Sequence, residues 1–190
     1  MIKSALVVVA EGFEDIEAVA PVDLMTRAGI AVTVAGIRPG SVKAAYGTTI
    51  VPDCDVNQLQ DSAFDAVVFP GAVQNAESLA GDPQIVALVR QYNSSGKLVA
   101  AICASPSHLL GEAAGILKGK RATGHPEFHD RLAATGAIVT DDDVTVDGNI
   151  ITGRGPGAAL HFALRIVEYL AGRETADIYA VRWRMARQSD

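Results

Sequence analysis

Four unbroken apolar runs, rich in β-branched residues, constrain this chain most: ALVVVA at 5–10, AVTVAGI at 31–37, AVVFPG at 66–71 and KLVAAI at 97–102. None alternates apolar with polar, so each reads as a strand covered on both faces. Such strands belong to parallel sheets, in which crossover helices cover both sides. The intervening segments carry helical spacing. Residues 14–28 place Ile16, Val19, Ala20, Leu24 and Met25 on one stripe, ending at Gly29. QIVALVRQY (84–92) follows Asp82-Pro83, an N-cap with proline at the first helical position. Residues 157–170 put Ala159, Leu160, Ala163, Ile166, Val167 and Leu170 on one face. TTIVPD (48–53) reads as a further strand, in a hairpin with 42–46. VTVDGNIIT (144–152) reads as a hairpin with Asp147-Gly148 as a type I′ signal. The expected fold is one α/β domain over residues 1–190, a doubly wound, mostly parallel, flavodoxin-like sheet.

Composition narrows the function classes. A net charge of −6, spread except for Asp141-Asp142-Asp143, leaves no basic stripe for nucleic acid. The locally basic RWRMARQ (182–188) reads as a solvated or partner-packed end. Two cysteines in 190 residues are too few for a disulfide framework. No apolar run approaches the ~20 residues that cross a bilayer. The expectation is a cytoplasmic protein with reduced thiols and no membrane partner.

In doubly wound sheets, sites lie beyond the carboxyl ends of the strands. There the chain places Glu11–Glu17, Pro70-Gly71-Ala72, Cys103-Ala104-Ser105-Pro106, Gly124-His125-Pro126-Glu127 and Gly153-Arg154-Gly155-Pro156-Gly157. In LVAAICASPSHLL (98–110) a buried strand gives way to a helix at one cysteine, the arrangement of a nucleophile elbow. A thiol there faces the positive end of a helix starting near Ser105, which predicts a lowered thiol pKa. Glu17 sits among Ile16, Ala18, Val19 and Ala20, a poor place for an unpaired charge. His125 suits either general acid–base work or capping of a helix begun by Pro126.

At these residues the chain resembles the ThiJ/PfpI superfamily, in the branch of the Parkinson's-disease-associated protein deglycase. The resemblance rests on E-x₅-P-V-D from Glu17, AAICA around Cys103 and GRGPG at 153–157 together. It implies Cys103 as reactive nucleophile, Glu17 as the acid hydrogen-bonded to sulfur, and His125 as proton shuttle. Gly71, Ala72, Ala104 and Ser105 would form the oxyanion hole and pocket. Arg154 would be structural, pairing with Glu14 or Asp15. The implied activity is cofactor-free conversion of small α-oxoaldehydes such as glyoxal and methylglyoxal to 2-hydroxy acids, or deglycation of their early protein adducts, by a homodimer. A non-catalytic oxidative-stress sensor or chaperone using the same sulfur is the alternative.

Three positions depart from the family pattern: Ser105 and Ala72 stand where glycine is frequent, and Ala104 stands where the peptidase branch has histidine. The last argues against a peptidase. A glutamine amidotransferase-like hydrolase is a lesser alternative, opposed by Ser105 and Ser107 and by the closeness of His125 to Cys103. The H-x-E of His125-Pro126-Glu127 lacks the cysteine pair of a zinc deaminase. His125 and His129 lack further ligands, so no metal is expected. His108 and His161 read as ordinary helix residues, and Cys54, flanked by Asp53 and Asp55, as a bystander.

Overall fold

The computed structural model describes residues 2–59 and 64–185. Residues 186–188 of the basic segment lie outside the described residues.

In chain order, β1 (Ser4–Val9) leads through α1 (Asp15–Arg27) to β2 (Ala31–Gly36). A small antiparallel pair, β3 (Val42–Lys43) and β4 (Thr49–Ile50), precedes β5 (Cys54–Asp55). Then come β6 (Ala66–Phe69), α2 (Val73–Ala80), α3 (Pro83–Ser94), β7 (Leu98–Ile102) and a wide π-helix, Pro106–Ala113. The short β8 (Arg121–Ala122) pairs with β9 (Ile138–Val139), and α4 (His129–Ala134) lies between them in sequence. The hairpin of β10 (Val144–Asp147) and β11 (Ile150–Gly153) is followed by α5 (Ala159–Ala171) and α6 (Arg173–Arg182).

The main sheet has the order β10-β11-β7-β6-β1-β2-β5, with every pairing parallel except β10 with β11. Side chains alternate across it, as the two-residue strand period requires. Ala5, Val7 and Val9 of β1 and Leu98, Ala100 and Ile102 of β7 face a core shared with α1, α5 and α6. Leu6, Val8, Val99 and Ala101 face the other core, with α2, α3, the π-helix and α4. Strand order reverses between β1 and β6, so a crevice opens at their carboxyl ends.

The helical stripes differ from the sequence pattern in three places. Ile16 and Val19 are 53% and 46% exposed, and Leu160 is also exposed. The buried stripe of α1 is Glu17, Ala18, Ala20, Pro21, Leu24 and Met25. The helix is thus rotated to carry a carboxylate inward, a choice that apolar periodicity cannot anticipate. The β10–β11 turn also differs. Asp147 pairs with Ile150, so the two loop residues are Gly148 and Asn149. Only Gly148 has positive φ (63°), the II′ pattern rather than I′. The proline-initiated α3, capped by Asp82, forms as expected. No described helix is long and apolar enough to cross a membrane.

Candidate functional site

β1, β6 and β7 end side by side, and each hands one piece of the site to the crevice. β7 stops at Ile102, and Cys103 takes φ = 66°, a left-handed backbone that a side chain rarely adopts. Neighbouring backbone over-determines this strained residue. Its N–H donates to the Gly153 carbonyl (2.9 Å), and its carbonyl accepts from the His125 N–H (2.8 Å). The next strand end carries a second strained residue, Ala72, at φ = 64° and ψ = 147°. The two unusual turns aim their N–H groups at one atom: Ala72 and Ala104 both donate to the Cys103 sulfur.

Glu17 reaches this sulfur from α1. The helix is N-capped by Glu14, whose Oε2 accepts the Glu17 N–H at 2.9 Å. The Glu17 side chain is fully buried. Its Oε2 accepts from the Gly71 N–H at 2.8 Å, while Oε1 is buried with no conventional hydrogen-bond partner. The carboxyl also hydrogen-bonds the Cys103 thiol. Gly71 makes the approach possible: a Cβ there would stand 2.5 Å from the Cys103 Cβ, 2.7 Å from Glu17 Oε2 and 2.8 Å from the Ile102 carbonyl.

The electrostatics run opposite to the expectation of a helix-activated thiolate. Burial first, then the charge of Glu17, push the Cys103 thiol up to about 12, and the Ala72 and Ala104 N–H groups pull it down without prevailing. Burial, with a contribution from Glu14, also pushes Glu17 up to about 8. At neutral pH the carboxyl is therefore largely neutral, and its repulsion of the sulfur is largely absent. Loss of one proton leaves a single negative charge shared by carboxyl and sulfur.

The remaining predicted residues divide. His125 stands beside the elbow, its side chain about one-third exposed, and caps the short turn Pro126–Phe128 by accepting from the Glu127 N–H. It lines a cleft of about 360 Å³ with Pro126, Asp143, Arg154 and Gly155–Ala158. Cys103 does not line that cleft, and the link between the two is the His125 N–H on the Cys103 carbonyl. The Ser105 hydroxyl is fully buried and donates to the Pro70 carbonyl at 2.6 Å, tying the elbow to the end of β6.

Arg154 does not pair with Glu14 or Asp15. Its Nη1 donates to the carbonyl and to Oδ1 of Asp141, both at 2.7 Å, so it braces the acidic run. Glu14 is occupied as the α1 cap, and Asp15 accepts the N–H groups of Tyr46 and Thr48, both at 2.9 Å. Cys54 is pushed up by burial and by its aspartate neighbours and lies away from the site, at the sheet edge. Among the described residues no group of three His, Cys, Asp or Glu side chains converges as a metal cluster would.

A flavodoxin-like sheet with a strained cysteine elbow and a buried, protonated glutamate defines a class of cysteine-centred α/β proteins. Within that class the chain belongs to the DJ-1/PfpI family, whose model matches residues 3–169. It is 42% identical over 175 residues to Drosophila melanogaster protein dj-1beta, covering 92% of each chain. The crystal structure of that protein superimposes with a TM-score of 0.93, covering 98% of this chain and all of the other. The Caenorhabditis elegans glutathione-independent glyoxalase DJR-1.2 is 39% identical over 173 residues, or 90% of this chain and 91% of the relative. Arabidopsis thaliana DJ-1 homolog A is 40% identical over 176 residues, 92% of this chain, which spans only 45% of that longer relative.

Proposed function

We propose that this protein converts small α-oxoaldehydes to 2-hydroxy acids through Cys103, without a cofactor. The observation that carries the reading is the Glu17–Cys103 pair: a buried acid and a buried thiol in contact, beneath two strained turns that present N–H groups to the sulfur. A relative named a glutathione-independent glyoxalase, similar over 90% of this chain, supports the substrate class.

The reactive form holds one proton on the pair, with the charge on sulfur. The thiolate adds to the aldehyde carbon, and the resulting alkoxide, held by the Ala72 and Ala104 N–H groups, takes the Glu17 proton. Glu17, now a carboxylate, removes the hydrogen from that carbon, and the proton returns to the neighbouring carbon directly or through His125, while the hydroxyl proton of the first carbon passes to the oxygen of its neighbour. The first carbon is oxidised by two electrons and its neighbour reduced by two, leaving a thioester and an alcohol. Water then cleaves the thioester, releasing the 2-hydroxy acid and restoring the thiol. The same chemistry on hemithioacetal or hemiaminal adducts of proteins would constitute deglycation. A homodimer would cover the exposed Ile16 and Val19 of α1, and size-exclusion chromatography with light scattering measures that state.

The test is lactate formation from methylglyoxal by the wild type and by Cys103→Ala, Glu17→Gln and Cys54→Ser. Turnover that survives only in the wild type and Cys54→Ser supports the reading. Turnover that persists in Cys103→Ala, or is absent from the wild type, refutes it. Absent turnover with stoichiometric peroxide oxidation of Cys103 would instead support a sensor, since the N–H groups that donate to an alkoxide can equally donate to sulfinate oxygens.

A further inference from the structure

His108, an ordinary helix residue by its sequence context, is 2% exposed and fully engaged in the structure. Arg131 of α4 donates through Nη1 to His108 Nε2 at 2.6 Å. The same guanidinium is clamped by Glu112, with Nε on Oε1 at 2.5 Å and Nη2 on Oε2 at 2.6 Å. A guanidinium has donors and no acceptor, so Nε2 must accept, and the ring proton therefore sits on Nδ1. Nδ1 lies 2.9 Å from both the Ala104 carbonyl and the Ser107 hydroxyl oxygen. Phe128 packs edge-on against the ring at 4.9 Å between centroids, which keeps it from turning. Glu77 on α2 acts on Arg131 by charge alone.

Ala104 is the residue whose N–H donates to the Cys103 sulfur. Its carbonyl accepts three bonds from the following turn: from Ser107 Oγ at 3.0 Å, from the His108 backbone N–H at 3.2 Å and from His108 Nδ1. The Ala104 N–H shares a rigid peptide plane with the Cys103 carbonyl, which the His125 N–H holds on one side, and the bonds to the Ala104 carbonyl fix the plane on the other side of the Ala104 Cα. We infer that His108 is a positioning residue. Its Nδ1–H, with the tautomer set by Arg131, grips the Ala104 carbonyl and keeps the N–H of that residue aimed at the sulfur. The inference rests on Cys103 being the reactive group of the proposed function but not on any particular substrate.

The measurement is the rate of Cys103 alkylation by iodoacetamide across pH, in a Cys54→Ser background, beside thermal melts. His108→Leu and His108→Gln remove the donor at the Nδ1 position; both should alkylate about 3- to 10-fold more slowly at neutral pH, the weight of one hydrogen bond. His108→Asn places an amide N–H where Nδ1 stood and should restore the rate to within about twofold. Arg131→Met keeps the ring but releases its tautomer, and should slow alkylation by about 2- to 3-fold. A role in packing alone predicts the reverse order, with Leu tolerated better than Asn. Wild-type alkylation in the Leu and Gln variants, or an Asn variant as slow as Leu with an unchanged melt, overturns the inference. Should the His108 variants fail to fold, Arg131→Met decides: an unchanged rate in it also overturns the inference. Failure of methylglyoxal turnover with these alkylation differences intact would sink the proposed function and leave this inference standing.

Discussion

Replacing Glu17 by glutamine tests the buried acid through protein stability rather than turnover. In the unfolded chain this carboxyl ionises near its ordinary value of 4.5, whereas in the folded protein it keeps its proton to about 8. Between those values unfolding releases a proton, so stability is full below about pH 4.5 and is lost progressively as pH rises toward 8. From pH 5 to 7.5 the loss spans two and a half pH units at about 1.4 kcal/mol each, or about 3 kcal/mol. Glutamine has no charge to desolvate, and its amide oxygen can accept the Gly71 N–H that Glu17 Oε2 now takes. Counted from pH 4.5, the wild type has lost about 4 kcal/mol by pH 7.5, and leaving the glutamine amide donors underbonded costs about 1 kcal/mol, so the variant should exceed the wild type there by about 3 kcal/mol. The assay is urea denaturation of both proteins at pH 5 and pH 7.5. The difference between the two pH slopes isolates Glu17, because every other titrating group is common to both, and the Cys103 window lies at higher pH. Parallel stability–pH curves would show that Glu17 is ionised in the folded state, and the proposed proton accounting would fall with it.

The remaining predictions concern the same corner of the fold. Wild-type kcat/KM for methylglyoxal should rise about tenfold per pH unit and level off near 8, where the pair loses its first proton; a plateau already complete at pH 6 contradicts this. Ala72→Gly relieves a backbone conformation that costs an alanine roughly 1–3 kcal/mol and gives back up to about 1 in unfolded-state entropy, so the melting temperature should rise. Gly71→Ala drives a Cβ to 2.8 Å from the Ile102 carbonyl, which belongs to a central strand and cannot yield; a loss of about 3 kcal/mol by denaturation and no alkylation of Cys103 are expected. Arg154→Ala should cost no more than about 1 kcal/mol and leave the Cys103 alkylation profile unmoved, since its Asp141 partner is largely exposed and the pair does not touch Glu17.

The legibility of this protein follows the range of the interactions concerned. The sheet could be read because unbroken apolar runs such as ALVVVA and KLVAAI admit only a doubly covered strand, and the elbow because a run of that kind ends at Cys103 and Pro106 opens a helix. α1 was legible as a helix but not in its rotation: Ile16 and Val19 look like core residues until the Glu17–Gly71 bond turns the carboxylate inward. The resemblance pairs Arg154 with Glu14 or Asp15, whereas the fold brings it to the carbonyl and carboxylate of Asp141, and Ser105 finds its acceptor in the Pro70 carbonyl, 35 positions away, which only the folded chain brings near. His108 carried no local signal at all, since Arg131, the residue that gives it a role, lies 23 positions away.

By itself the sequence determined the strand order's ingredients, the covered parallel sheet and the thiol at the corner, because these depend on hydrophobic period and turn chemistry over a few residues. Only the tertiary structure decided the protonation of that corner. A helix mouth alone favours the thiolate, but burial at the carboxyl end of β7 and the arrival of Glu17 from α1 oppose it, and a desolvation energy exists only once the surrounding chain has packed.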